Sequence, residues 1–214
     1  MINTKHLFLG LLKWLVEQKI WGQINHLKIH KFVFFYMLFA WLIGSEYDFS
    51  YLSGYTNGPV FTQIYGDYVY RYNLLNGCLK QNINVCIVSD RCAQKALFLV
   101  MTHTNEELKL LTHSFLFWNQ QLWSSNLKED NHSFCIDLLG DKDKKMVSFL
   151  YECCLDYEMV KIILIREKYF VMLKVGAFEL SEPQIKLLET LSMNHLLVNP
   201  IYIHQSATGV LIID

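Results

Sequence analysis

A chain of 214 residues is long enough to form one domain or two small ones. Its content of 52% hydrophobic and 14% aromatic residues supports a substantial core and excludes an intrinsically disordered chain. The formal net charge of −1 provides no overall basic field, so nucleic acid is not an expected partner.

The cysteines and the N-terminal sequence indicate a reduced, cytoplasmic setting. The six cysteines lie between positions 78 and 154 and lack the density of a secreted disulfide scaffold. The apolar segment after Lys5 is soon interrupted by Lys13 and has no small-residue cleavage site. We therefore expect a cytoplasmic protein.

Two helices are predicted at the start of the chain. The first covers residues 7–20, where apolar side chains recur at helical spacing, and Gly22 ends it. A second helix begins after Asn25, whose side chain suits an N-cap, and runs to Ile43.

The second helix is interpreted as a buried core helix. Its apolar and aromatic run covers residues 32–43, which is shorter than the roughly 20 residues needed to cross a bilayer. Lys28 and Lys31 are expected on its solvent side. No membrane association is predicted.

An extended insert and a turn follow this helix. Gly58 reaches positive φ easily and Pro59 fixes its own φ, so the pair is typical of a turn. Pro59 also suits the first residue of a helix. A spacing of four residues then predicts one face of that helix, formed by Val60, Ile64 and Tyr68.

These residues resemble a known family, the Panacea domain, which is the SocA-like antitoxin domain also described as phage-associated GepA-like. The resemblance covers residues 24–70 clearly and extends to about residue 125. Two positions depart from the usual pattern, because Tyr55 stands where Trp is common and Asn57 where an aromatic residue is common. The first helix of the motif is also unusually rich in Phe, so the chain looks like a divergent member. The matching positions are Lys31, Phe35, Tyr36, Ala40, Trp41, Tyr55, Gly58, Pro59, Val60 and Tyr65.

Aromatic residues are dense around this motif and predict a protein-binding face. Tyrosine is favoured where one end of the side chain is apolar and the other is wet, as at interfaces. The alternative is that these rings only pack the turn. The predicted partner-binding residues are Tyr47, Phe49, Tyr51, Tyr55, Asn57, Phe61, Tyr65 and Tyr68.

Two functional hypotheses follow from the resemblance and the aromatic face. The resemblance implies an antitoxin that neutralises a toxin by direct binding, and it leaves the target open. The divergent motif and the unmatched C-terminal half suggest a second possibility. This is a phage- or prophage-encoded inhibitor of a host defence complex, such as an anti-CRISPR.

The middle of the chain contains the expected boundary between two parts. Residues 73–77 are typical of a turn, and residues 84–89 of a short strand or buried connection. Thr104 and Glu107 form a capping box that opens a helix through Trp118. The polar segment 120–132 is loop-like, which places the boundary between parts 1–125 and 126–214.

The C-terminal part is predicted to contain strand pairs around helices. Residues 141–145 are typical of a charged turn, residues 146–156 of a helix, and Ser181 caps a helix that runs to Met193. Pro200 suggests an edge or bulged strand. Two β-hairpins are expected, at residues 161–175 and 196–213. The predicted fold class is α+β, with a mostly helical N-terminal part and a smaller α+β part.

The search for catalytic chemistry is negative. His26 and His30 are four residues apart, but Leu27 stands where a zinc protease has its Glu and no third ligand is near. Cys92 could act with His103 or His113 only if the fold brought them together. Asp48 and Asp67 are expected at the solvated surface. We therefore predict no enzyme, no metal and no cofactor.

Overall fold

The computed structural model describes residues 1–81, 85–86, 88–117, 139–193 and 196–214. Its fold class is α+β, as predicted. The helices in the described residues are α1 (His6–Glu17), α2 (His26–Leu42), α3 (Thr62–Tyr70), α4 (Tyr72–Lys80), α5 (Asp90–Met101), α6 (Asn105–His113), α7 (Asp141–Cys153) and α8 (Glu182–Leu191). The strands are β1 (Leu52–Tyr55), β2 (Gly58–Phe61), β3 (Val160–Ile165), β4 (Lys168–Leu173), β5 (Ile201–Gln205) and β6 (Leu211–Ile213).

Helix α2 is the centre of the core, which confirms the prediction of a buried helix. Every residue from position 29 to position 40 is buried, and the helix packs against α5, α7 and β2. Asn25 caps its N-terminus by accepting a hydrogen bond from the backbone N–H of Lys28 at 2.9 Å. Across the described ranges, the helices are all too short or too polar to cross a membrane.

The prediction for Lys31 is wrong. Its side chain lies on the buried side of α2 and is only 1% exposed. A lysine inside an apolar-aromatic run can be buried when the surrounding structure supplies hydrogen-bond acceptors for its amine. Such acceptors come from residues distant in sequence, so the pattern along α2 did not indicate them.

The turn at Gly58 and Pro59 belongs to a β-hairpin and does not start a helix. Strands β1 and β2 pair antiparallel, with Leu52 opposite Phe61 and Tyr55 opposite Gly58. Pro59 is tolerated because β2 lies at the edge of a two-stranded sheet. Val60 is therefore in a strand, while Ile64 and Tyr68 do lie on α3.

Residues 73–77 are helical, although their composition is typical of a turn. They belong to α4, which packs against α1 and α3 and buries Leu75 and Leu79. This burial outweighs the weak helix propensity of the asparagines and of Gly77. Within the expected connection 84–89, residues 84 and 87 lie outside the described residues, and the others are neither helical nor strand.

The capping box is confirmed, but the helix it opens is shorter than predicted. Thr104 Oγ1 accepts from the backbone N–H of Glu107, and the Glu107 carboxylate accepts from the backbone N–H of Thr104. Helix α6 ends at His113. Trp118 and the predicted boundary at residues 120–132 lie outside the described residues.

Helix α7 begins at Asp141, so residues 141–145 are not a turn. Asp143 is buried and its carboxylate accepts the backbone N–H groups of Leu116 at 2.7 Å and Phe117 at 3.0 Å. This contact with the segment that follows α6 holds Asp143 in the first turn of α7. A carboxylate near a helix N-terminus is also favoured by the helix dipole.

Both predicted C-terminal hairpins are confirmed, and they join into one sheet. Strand β3 pairs antiparallel with β4, and β5 pairs antiparallel with β6. The pairing of β4 with β5 is parallel and gives the strand order β3-β4-β5-β6. The edge-strand prediction for Pro200 is wrong, because Pro200 precedes β5 and β5 is an interior strand.

The sheet connects the C-terminal part to the helical core. Val160 and Val171 join the main hydrophobic cluster, together with Val147 of α7. On the opposite face, Phe170 packs with Leu188 of α8 in a smaller cluster. The two parts therefore share buried apolar surface, and the division at residue 125 stays a prediction.

Candidate functional site

A cavity of about 260 Å³ opens between α2, the β1–β2 hairpin and α3. It lies where the Gly-Pro segment passes over the N-terminal half of α2. The hairpin turn forms one wall, and α3 forms another. The residues that line it are His26, Leu27, His30, Lys31, Tyr55, Thr56, Asn57, Pro59, Val60 and Tyr65.

Lys31 lies at the buried side of this cavity. Its Nζ donates to the backbone carbonyl of Asn57 at 2.7 Å and to Thr112 Oγ1 at 3.0 Å. Thr112 is fully buried on α6 and donates its own hydroxyl proton to the backbone carbonyl of Leu108 or Lys109. Lys31 thus ties α2 to the hairpin turn and to α6.

Burial, together with the nearby positive charge of Lys109, lowers the pKa of the Lys31 amine from 10.5 to about 7. The amine is therefore divided between its charged and neutral forms near neutral pH. None of the ion pairs formed among the described residues includes Lys31. Strongly shifted pKa values are concentrated at binding and catalytic sites, so Lys31 marks the cavity as a candidate site.

Gly58 is shaped to the Lys31 side chain. Its φ of +101° is unfavourable for residues with a β-carbon. An ideal β-carbon at this position would lie 1.9 Å from Lys31 Nζ and 2.8 Å from Thr112 Oγ1. Only glycine leaves room for the amine against the hairpin backbone.

His30 is a neutral structural side chain of the cavity. The backbone N–H of Phe61 donates to its Nδ1 at 3.3 Å, which places the ring proton on Nε2. Burial lowers the pKa of His30 to about 3, and the charges of His26 and Lys31 act in the same direction. His30 therefore links α2 to strand β2 without carrying charge.

Aromatic rings continue from the cavity along α3. The Tyr65 ring lies 6.3 Å from the His30 ring and 6.4 Å from the Tyr55 ring. The Tyr68 ring lies 6.2 Å from the His26 ring and contacts Trp21 edge-on at 5.9 Å. Tyr65 and Tyr68 are half-buried, and Tyr68 packs against the main hydrophobic cluster.

Three of the predicted tyrosines are exposed on the segment 47–55, which leads into the hairpin and forms its first strand. Tyr47 is 40% exposed, Tyr51 is 50% exposed and Tyr55 is 48% exposed. Asn57 is exposed at the hairpin turn. We call the exposed set of Tyr47, Tyr51, Tyr55 and Asn57 the hairpin face.

Two predicted partner-binding residues belong to the core instead. Phe49 is 5% exposed and Phe61 is fully buried, and the Phe61 ring packs on Phe8 at 5.0 Å. Neither ring is accessible to a partner in this conformation. Phenylalanine has no polar group to keep at the surface, so these rings gain more from burial than the tyrosines beside them.

Tyr51 has an unusual backbone conformation, with a φ of +63°. Positive φ is uncommon for a bulky residue and carries backbone strain. Thr62 holds the peptide in place, because its backbone N–H and its hydroxyl both donate to the Tyr51 carbonyl, at 2.9 Å and 3.2 Å. The ammonium of Lys5 lies 5.0 Å from the centre of the Tyr51 ring.

Asp67 is buried, so its expected place at the solvated surface is wrong. Oδ2 accepts the backbone N–H groups of Asn3 and Thr4, both at 2.7 Å, and the Thr4 hydroxyl at 2.6 Å. Oδ1 accepts from Arg71 Nε at 2.6 Å. Asp67 thereby fastens the N-terminal segment to α3, whereas Asp48 remains partly exposed and pairs with Lys5.

Cys92, His103 and His113 lie in different environments. Cys92 is fully buried on α5, and burial raises the pKa of its thiol, which disfavours the nucleophilic thiolate. His103 Nδ1 lies 2.9 Å from the backbone carbonyl of Leu99. Burial lowers the pKa of both His103 and His113. Over the described ranges, His, Cys, Asp and Glu side chains form no cluster of three suited to a metal ion.

The ten positions that carry the family resemblance fall into two groups in the structure. The first group lines the cavity and consists of Lys31, Tyr55, Pro59, Val60 and Tyr65, together with Gly58, which packs against the Lys31 amine. Phe35, Tyr36 and Ala40 are buried in the core, and Trp41 packs against it. Sequence reasoning missed Thr112, because a single threonine on an amphipathic helix gives no signal of a distant partner.

Comparison of the chain with known protein families, curated proteins and solved structures found no match. A functional assignment therefore depends on the residues of this chain and on the geometry that they form.

Proposed function

We propose that this chain is a protein-binding module of the antitoxin-like kind, which neutralises a partner protein by direct contact through the hairpin face. The observation that carries the proposal is the exposure of Tyr47, Tyr51 and Tyr55 on the segment 47–55, which leads into and forms strand β1, with Tyr55 lining the cavity. Tyrosine rings supply large apolar contact area with a hydroxyl that stays solvated, which suits the centre of an interface.

The hairpin is also anchored well enough to present these rings in a defined geometry. Lys31 holds its turn through the Asn57 carbonyl, and His30 holds β2 through the Phe61 N–H. Thr62 holds the strained Tyr51 peptide. Preorganised side chains lose less conformational entropy when a partner binds, which favours affinity.

The family resemblance supports the same proposal. Six of the ten matching positions surround the cavity or the amine within it. Members of the family resembled act as antitoxins against unrelated toxins, so the resemblance suggests the mode of action and leaves the target open. A shared motif that builds the presenting hairpin is consistent with variable partners.

Affinity capture with the tagged chain from its native host tests the binding face. Tyr51→Ala and Tyr55→Ala remove exposed rings from the hairpin face. Tyr70→Ala is the matched control, because Tyr70 is 78% exposed on α3 and lies outside the hairpin face. We expect one stoichiometric partner that the two hairpin variants lose and the control retains. A partner retained by all three variants would move the interface elsewhere.

Co-expression tests the neutralising activity. A toxin encoded beside this chain should arrest growth alone, and the intact chain should restore growth while Tyr55→Ala should not. If the neighbouring product neither binds nor is neutralised, the antitoxin role is wrong. Capture of a host nuclease or defence subunit would instead assign the module to the phage- or prophage-encoded inhibitors.

A further inference from the structure

The cavity beside the hairpin face is lined by hydrogen-bond donors and lacks carboxylates. Its ten lining residues include no Asp and no Glu. The donors among them are the Lys31 amine, the hydroxyl groups of Tyr55, Thr56 and Tyr65, the Asn57 amide and the imidazole N–H groups of His26 and His30. Such a lining complements a ligand that has acceptors and negative charge.

The Lys31 amine itself lacks a complete set of partners. A protonated lysine has three N–H donors, and Lys31 uses two of them on Asn57 and Thr112. Among the described residues, no further acceptor is within hydrogen-bond distance of Nζ, although the side chain is only 1% exposed. A buried charge is favourable only when a counter-charge or further hydrogen bonds accompany it.

The size and charge of the cavity limit what it can hold. Its volume of about 260 Å³ lies below the roughly 300–1,000 Å³ that is typical of sites for drug-sized ligands. Among the described residues that line it, Lys31 is the only Lys or Arg, so none of them offers a guanidinium for bidentate contact with a phosphate. One cation and several neutral donors match a singly charged carboxylate better than a dianion.

We propose that this cavity is a carboxylate-binding site, in which the Lys31 amine and the surrounding donors bind the side-chain carboxylate of a Glu or Asp from the protein partner. This inference rests on the proposed function, since the partner supplies the carboxylate. The site adjoins Tyr55 and Asn57, which also belong to the hairpin face. An acidic side chain of a partner docked on that face enters the cavity and completes the hydrogen bonding of Lys31.

Several titratable groups surround the Lys31 amine, and their influence on its pKa must be distinguished from that of the ligand. They are His26 and His30 on α2, Tyr55 on β1, Tyr65 on α3, and Lys109 and His113 on α6. Lys109→Gln removes a nearby positive charge, so it raises the pKa of Lys31 without any ligand. If the carboxylate contacts Lys31 directly, the ligand also raises the pKa of Lys31 in the Lys109→Gln variant.

The test is a pH titration of the lysine ¹³Cε NMR signals in the intact chain, with Lys31 assigned by backbone-linked experiments. The probe is the α-amide of N-acetylglutamate, which carries a free side-chain carboxylate. The matched control is the α-amide of N-acetylglutamine, which has the same shape without the charge. The glutamate probe should raise the pKa of Lys31 saturably by about one unit or more, which corresponds to about tenfold tighter binding to the charged amine.

Lys28 provides an internal control on the same helix, because it lies outside the cavity lining and its signal should not respond. No response of Lys31 to the glutamate probe overturns the proposal. A response to acetate but not to the glutamate probe also overturns it, since the site would then take a free small carboxylate. A response to inorganic phosphate alone overturns the assignment of carboxylate.

These outcomes are distinguishable from failure of the proposed function. The NMR titration uses no partner and reports only on the cavity. If partner capture depends on Tyr51 but the probe does not change the pKa of Lys31, the binding-module proposal stands and the carboxylate-site proposal is wrong. If the probe raises the pKa of Lys31 but no partner is captured, the cavity binds carboxylates and the proposal that a protein partner supplies the carboxylate is wrong.

Discussion

The Lys31 amine occupies the space that a β-carbon on residue 58 would need, since an ideal β-carbon on Gly58 would lie 1.9 Å from Lys31 Nζ. Two residues that are distant in sequence are therefore mutually required. The lysine holds the hairpin turn by its hydrogen bond to Asn57, and the glycine lets the hairpin backbone approach the amine. This relationship connects α2 to the hairpin face.

Gly58→Ala should destabilise the fold by more than about 2 kcal/mol, because the new methyl group overlaps the Lys31 amine and φ is +101°. Urea unfolding measures the change in the free energy of unfolding. Gly77→Ala is the control, since Gly77 lies inside α4 with no atom within 4 Å of an added β-carbon. That variant should gain roughly 0.5–1 kcal/mol from helix propensity. Equal effects of the two substitutions would contradict this account.

Lys31→Met should change how stability depends on pH. Burial lowers the pKa of Lys31 in the folded state from 10.5 to about 7, so the unfolded chain binds more protons between these values. Stability of the native chain should therefore rise with pH across this window, and the cost of charging Lys31 should be fully present below about pH 7. The variant should lose that rise, by a few kcal/mol in order of magnitude.

Unfolding curves at pH 6 and pH 9.5 measure this difference. Lys144→Met is the matched control, because Lys144 is exposed on α7 and its loss should leave the pH dependence of the native chain intact. Parallel pH profiles for native chain and Lys31→Met would show that the amine does not titrate in this range.

Asp67→Asn should destabilise the fold by about 2–3 kcal/mol, because a charged acceptor of four hydrogen bonds is replaced by an amide. Asp48→Asn is the control at a partly exposed ion pair, where a loss of about 1 kcal/mol or less is expected. Chemical denaturation at pH 7 compares them.

Acidification gives a second readout for Asp67. Burial would raise the pKa of its carboxyl, but hydrogen bonds from Thr4 and Arg71 and from the backbone of Asn3 and Thr4 outweigh it and hold the pKa below its usual range. Its contribution should be present above about pH 4 and lost as the pH falls further. If acidification lowers the free energy of unfolding of Asp67→Asn as much as that of the native chain, this assignment is contradicted.

Asn199→Ala should separate the C-terminal sheet from α6. The Asn199 amide donates to the Glu107 carboxylate at 2.9 Å and to the Glu167 carbonyl at 2.9 Å, and its oxygen accepts from Tyr169 N at 2.8 Å. We expect a loss of about 2–3 kcal/mol, since buried groups are left without partners. Asn73→Ala, on the exposed side of α4, should change stability by no more than about 0.5 kcal/mol.

Limited proteolysis of the Asn199 variant localises the effect. Cleavage should increase within the β3–β6 sheet before it increases in α2, because the lost contacts lie between the sheet and α6. Uniform cleavage along the chain would indicate that Asn199 stabilises the whole fold equally.

Several elements were predictable because their determinants lie close together in sequence. Asn25 and the capping boxes at Thr104 and Ser181 act within one helical turn, and all three are confirmed. The two C-terminal hairpins are confirmed for the same reason, since each pairs neighbouring segments. The core helix α2 was indicated by its uninterrupted apolar run.

Only the tertiary structure decided where the polar groups of the candidate site lie. Lys31 finds acceptors 26 and 81 residues away, and Asp67 binds donors 63 and 64 residues away. The parallel pairing of β4 with β5 likewise joins segments that no local pattern links. By itself, the sequence determined three helix caps, the two C-terminal hairpins and the buried helix α2, because caps, turns and apolar runs act over a few residues. The burial of a lysine or an aspartate depends on partners that only the folded chain brings within hydrogen-bond distance.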